Sequence, residues 1–101
     1  MITITRNDIS PGYQIAQSGH AIAQFFLEHP ELSKQWNNNY LISLSIDSEQ
    51  SLYNLLEQIE NTGTPVSYFR EPDIGHELTS LCFIQNDKTK KITHKLKLSL
   101  N

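Results

Sequence analysis

Only one cysteine occurs in the 101 residues, Cys82, so the chain can form no internal disulfide. Cys82 lies inside the apolar run LTSLCFI, where a free thiol is expected to be buried. A chain without disulfides is expected in a reducing cytoplasm. No apolar run approaches the ~18 residues of a membrane span, so a helical membrane protein is excluded. The opening MITITRNDIS has no basic stretch followed by an apolar one, and no secretory leader is expected. Neither phosphate-binding pattern, G-x-G-x-x-G or G-x-x-x-x-G-K, is present, and no G-x-S-x-G marks a nucleophilic serine. The four histidines, at 20, 29, 76 and 94, share no paired ligand spacing. The expectation is therefore no metal and no cofactor. Ser18 and His20 lie two apart, where helical side chains diverge, so they are not a nucleophile–base pair.

Positive charge is also scarce, and it is unevenly placed. The first 87 residues hold all 11 acidic residues but only Arg6, Lys34 and Arg70 against them, a net −8. The last 14 carry +5, from Lys88, Lys90, Lys91, Lys95 and Lys97. An acidic body does not attract nucleic acid by its field alone. The tail is either a solvated face or a local basic patch.

No repeat, linker or low-complexity segment breaks the chain, so a single domain over residues 1–101 is expected. ITITR (2–6) alternates like a strand. Ser10 and Pro11 then open a helix running to about His29, with Ile15, Ile22, Phe25 and Phe26 as its apolar face and Gly19 and Ala23 allowing close approach to the sheet. A short helical turn over 30–36 and a loop at 37–39 follow. YLISLSI (40–46) is a second strand. Asp47 or Ser48 caps a second main helix on which Leu52, Leu55, Leu56 and Ile59 fall at i, i+3, i+4 and i+7, and Gly63 ends it. Strands are expected over 65–70 and 78–84. A last helix over 86–100, capped by Asp87, would turn Ile92 and Leu96 inward and place Lys88, Lys91 and Lys95 along one outer face.

Strand–helix–strand crossovers give parallel strands. The link from Glu71 to Glu77 is too short for a crossover helix, so the fourth strand should run backwards. The expected fold is α/β: a three-layer α/β/α sandwich on a four-stranded mixed sheet, the last strand antiparallel. Its carboxyl edge gathers Asp8, Gly12, Tyr13, Glu71, Asp73, His76 and Thr79 at the usual ligand crevice of such sheets. Glu71 is placed to take a proton from water, Thr79 to orient that water, and free N–H groups near Gly12–Gln14 to face an oxyanion. That set suits hydrolysis of an activated ester. A hairpin merely solvated by Glu71 and Asp73 would look the same in sequence.

RNDISPGYQIAQSGHA resembles the strand-to-helix motif of the type II peptidyl-tRNA hydrolases, roughly R-x-D-L, a glycine turn and K-x-A-A-Q-x-S-H-A. GTPVSYFREPD and ELTSLCFI are similar to that family's third and fourth strands, and KITHKLKLSL to its closing segment. The resemblance spans most of the chain. It implies hydrolysis of the ester between a peptide and the 3′-ribose of tRNA, with tRNA as partner. It also implies Glu71, Thr79 and Tyr13 at the catalytic positions, and Asp8, Gly12, Gln17 and His20 on the substrate; the tail, as the one dense positive region, would put Lys88, Lys91 and Lys95 on tRNA phosphates. Three departures stand out. Tyr13 falls where the family has its lysine, Glu71 where it has an aspartate, and the family's longer loop is cut to PDIGHEL. Loss of the ammonium leaves a second reading open: an inactive member of the fold serving as a protein or RNA interaction module. In either case a homodimer is expected.

Overall fold

The computed structural model describes residues 1–100. Five strands, β1 (Ile2–Arg6), β2 (Ile42–Ile46), β3 (Val66–Glu71), β4 (Glu77–Phe83) and β5 (Lys97–Leu98), form one sheet in the order β3-β4-β1-β2-β5. β1 and β2 are parallel, and β4 runs antiparallel to both of its neighbours, β1 and β3. The short Glu71–Glu77 link therefore does what its length demands. Pro72–Ile74 make one 3-10 turn, and Gly75 (φ +73°) and His76 (φ +60°) reverse the chain. Glycine takes that left-handed conformation freely, whereas His76 is held in it by its N–H bond to the Glu71 carbonyl at 2.9 Å.

Helices lie on both faces. α3 (Glu49–Asn61) starts at Ser48, whose hydroxyl accepts from the Ser51 N–H. The predicted stripe Leu52, Leu55, Leu56 and Ile59 is buried against Ile2, Ile4, Leu44, Leu81 and Phe83. Each such side chain contributes ~1.5–3 kcal/mol by leaving water. α1 (Pro11–Glu28) and the short α2 (Pro30–Gln35) cover the other face, where Ala21 and Phe25 pack with Cys82.

The face of α1 differs from the expected one. Ile15 is 63% exposed, Phe26 and Ala23 are also exposed, and Gly19 has no neighbour within 4 Å of a side-chain position. The buried stripe is Gln14, Gln17, Ala21 and Phe25. The sheet surface beneath explains this. It presents hydroxyls, Thr3, Thr5 and Ser80, rather than a continuous apolar bed, and Ser18 bonds Thr3 across the gap at 2.9 Å. A polar bed selects a polar helix face.

The C-terminal segment is the main correction. α4 spans only Asp87–Thr93 and is capped by Asn86, not Asp87, through a capping box with Thr89. The chain then turns and adds β5 antiparallel to β2, so the sheet has five strands rather than four. KLKLSL alternates with the period of a strand, and the free edge of β2 supplies the partner groups. Ile92 and Leu96 still pack on the core, but Leu96 does so from the turn. Lys88, Lys91 and Lys95 consequently do not share one helix face, because Lys95 lies past its end.

Candidate active site

The end of β3 and the start of α1 meet at the carboxyl edge of β1. The Tyr13 hydroxyl donates to Glu71 Oε1 at 3.2 Å, across 58 residues of sequence. Both residues therefore sit in one place, as the shared edge requires. Glu71 is buried but for its rim. Partial burial, then the Glu71 and Asp73 carboxylates, push the Tyr13 phenol above its ordinary value, so it is a neutral donor at physiological pH. Tyr13 occupies one oxygen of Glu71 and leaves the carboxylate its acceptor capacity at Oε2.

Thr79 reaches the same face by a local irregularity. Along β4, Phe69 pairs Ser80 and Arg70 pairs Leu78, so Thr79 is the extra residue of a β-bulge. Strict alternation would send Thr79 to the α3 side, with Leu81. The bulge turns it toward α1, where its hydroxyl lies 2.7 Å from Gln17 Oε1 and 3.2 Å from the Phe69 carbonyl. Thr79 and Gln17 are both wholly buried, and Gln17 Nε2 has no partner. One hydroxyl hydrogen cannot serve two acceptors well. With the amide turned over, Nε2 donates to Thr79 and Thr79 donates to Phe69. In either orientation one buried polar atom of Gln17 has no partner among the described residues.

Charged residues hold the bulge from behind. Leu78, its neighbour, has both main-chain groups taken: Arg6 Nη1 donates to its carbonyl at 3.2 Å, and its N–H donates to Glu49 at 2.9 Å. Arg6 also grips Asp8 with two bonds, at 2.8 and 3.0 Å, and Glu77 at 2.7 Å. The hydrogen bond from Arg6 holds the Asp8 carboxyl below the usual carboxylate range, and the Asp8 contact raises Arg6. Asp8 is thus engaged inside the protein.

The other expected residues distribute as follows. His20 stacks flat on Phe69, ring centroids 4.4 Å apart, which places the imidazole beside the β3 end of the site. Gly12 is open, and the first turn of α1 has no side-chain cap, so the Gly12 and Tyr13 N–H groups have no side-chain partner, whereas the Gln14 N–H bonds the Ser10 carbonyl at 2.9 Å. Asp73 and His76 are exposed on the turn. Lys88 lies elsewhere, beside Thr62–Pro65 at the amino end of β3. Arg70 points to the α3 side, over the Tyr53 and Tyr68 rings, and does not replace a cation near Tyr13. Neither Arg6 nor Glu49 stands out in the sequence as a site residue. A charged residue ending an otherwise apolar–hydroxyl strand was the available signal for Arg6, whereas Glu49 resembled any acid in a first helical turn. Among the described residues no group of three potential metal ligands occurs.

These features can be set beside known proteins. The chain is 30% identical to a peptidyl-tRNA hydrolase of Methanocaldococcus jannaschii, in an alignment covering 97% of both chains. A solved structure of a protein of unknown function from Agrobacterium tumefaciens strain C58 shares the fold, with a TM-score of 0.73 at 12% identity over 96% of this chain and 94% of that one. Residues 1–99 match the model of the peptidyl-tRNA hydrolase PTH2 family. The chain belongs to that family.

Proposed function

We propose that the protein hydrolyses the ester joining a peptide to the 3′-ribose of tRNA at the Glu71–Tyr13 site. The observation that carries this is the 3.2 Å contact between Tyr13 and Glu71 in a chain of this family. Glu71 takes a proton from a water as that water attacks the ester carbonyl. The oxyanion that forms faces the uncapped N–H groups of Gly12 and Tyr13 at the start of α1. Collapse expels the ribose oxygen, and the proton held by Glu71 passes to it. Thr79, being wholly buried, acts by orienting Gln17 and so counts as a positioning residue. Tyr13 aligns Glu71, but as a neutral phenol it lends no positive charge to the oxyanion or terminal phosphate.

Release of free tRNA from a peptidyl-tRNA analogue tests the reading. Glu71→Gln should lower kcat by about 10²–10⁴-fold, the usual worth of a positioned general base. Unchanged turnover in that variant would return Glu71 to hairpin solvation. Tyr13→Lys should raise kcat, because an ammonium there supplies the missing charge. The proposal includes a cytoplasmic homodimer. Phe26, set edge-on to Trp36, and the nearby exposed Tyr40 and Leu41 offer apolar surface for such a contact, and sedimentation at micromolar concentration measures it.

A further inference from the structure

We propose that a trough on the far flank of α1 carries the single-stranded RNA end, with Lys95 and Lys97 on its phosphates. This rests on the hydrolase reading and adds to it the direction in which the RNA leaves the ester.

α1 packs over β3, β4 and β1 and leaves β2 and β5 uncovered on that face. Two adjoining depressions of about 260 and 400 Å³ fill the uncovered strip, and a third of about 410 Å³ continues from them round the carboxyl end of β2 to Ser51 of α3. Gln14 and Leu100 line both the first and the second, and Asn7 and Ser45 line both the second and the third, so the three form one continuous trough. Its inner end is lined by Ser18, Ser43 and Ser99. Hydroxyl and amide groups along a groove match ribose hydroxyls, and the exposed aliphatic side chains of Ile15 and Leu100 offer flat apolar contact to bases.

Charge distinguishes this trough from an ordinary polar cleft. Lys95 and Lys97 stand at its outer end and face a single carboxylate, Asp47. Neither lysine is in an ion pair among the described residues. In a body whose first 87 residues carry −8, this is a local positive mouth. It owes its position to β5, which folds the tail back so that Lys97 lies opposite Ser45.

The trough also connects to the chemistry. Pro11 and Gln14 line its middle, and Tyr13, in the same turn of α1, touches Glu71. A strand leaving the ester crosses that turn at Gly12, where the absence of a side chain leaves open space, and descends toward Lys97 and Lys95. Lys88, at the other end of the sheet, lies off this path.

The test measures binding of a short single-stranded RNA ending in a 3′-adenosine over a salt series. It compares the full chain with Lys95→Gln/Lys97→Gln, Lys88→Gln/Lys91→Gln and Ile15→Glu. Phosphate contacts to single strands contribute about 0.7 each to the log–log salt slope. The Lys95/Lys97 variant should therefore lose about 1.4 in slope, and Ile15→Glu should weaken binding at low salt. The Lys88/Lys91 variant should match wild type. No binding by wild type at low salt, an equal loss in both lysine variants, or no loss in the Lys95/Lys97 variant overturns the proposal. An Ile15→Glu effect confined to the peptide part of the substrate assigns the trough to peptide and overturns it as well. Turnover of peptidyl-tRNA separates the two readings. If wild type turns over and the Lys95/Lys97 variant keeps its KM, the trough fails while the hydrolase stands. Lysine-dependent RNA binding without turnover is the reverse case.

Discussion

Tyr13 meets the Glu71 carboxylate as a neutral group. It reaches Glu71 and holds one carboxylate oxygen. A neutral phenol donates one hydrogen bond but brings no charge, so Tyr13→Phe should cost little more than that bond. The expected change is a few-fold in kcat, far smaller than for Glu71→Gln, and single-turnover kinetics separates the two. Cys82 is a contrasting residue. Burial pushes its thiol up to about 12, and it sits under α1 away from Glu71 and Thr79. It should react with a thiol reagent only at the rate at which the protein unfolds. Fast labelling in native buffer would contradict its placement.

At the scale of the element, the bulge in β4 is what brings Thr79 to the site. A bulge leaves one residue out of the ladder, and the main-chain groups beside it need other partners. Arg6 and Glu49 supply them at Leu78. Glu49→Ala leaves the Leu78 N–H unpaired in a buried strand and should destabilise the protein by about 1–3 kcal/mol. It should also lower kcat more than it raises KM, because Thr79 and Gln17 lose their alignment. Arg6→Met leaves Asp8, Glu77 and the Leu78 carbonyl without their donor. Both carboxylates are partly exposed and can hydrate, so the expected cost is again about 1–3 kcal/mol rather than that of a fully buried pair. Urea unfolding of each variant measures both losses.

For the whole molecule, the paired charges set a pH window. Asp8 bonded to Arg6, and Glu28 bonded to Ser67 and Gln24, both ionise more readily folded than unfolded. Their contribution is fully present above the usual carboxylate range and is lost as pH falls through their depressed folded values. Cys82 acts at the other end. Its folded value is raised, so its contribution is complete below the ordinary 9.0 and fades as pH climbs from there toward about 12. The urea midpoint should therefore fall on both the acid and the alkaline side. Asp8→Asn should flatten only the acid limb, and Cys82→Ala only the alkaline one.

Much of this was legible in the sequence, and the reasons are local. The i, i+3, i+4, i+7 run from Leu52 to Ile59 is an apolar stripe whatever it packs on. The seven-residue Glu71–Glu77 link permits only an antiparallel return. Together they place Glu71 and Tyr13 on one edge before any side chain is positioned. What the sequence left open depends on partners distant in the chain. The α1 face is one case: Gln14 and Gln17 look exposed until the Ile9 carbonyl and the Thr79 hydroxyl stand beside them. KLKLSL sits beside helical signals and becomes a strand only when the edge of β2 offers unpaired groups. Thr79 alternates with the wrong face until a bulge turns it, and Arg6 gains its role only where Leu78 arrives beside it. Periodicity and link length thus determined the frame and the meeting of Glu71 with Tyr13. Non-local hydrogen bonding, which no short window of sequence contains, decided the fifth strand, the orientation of Thr79 and the trough beside α1.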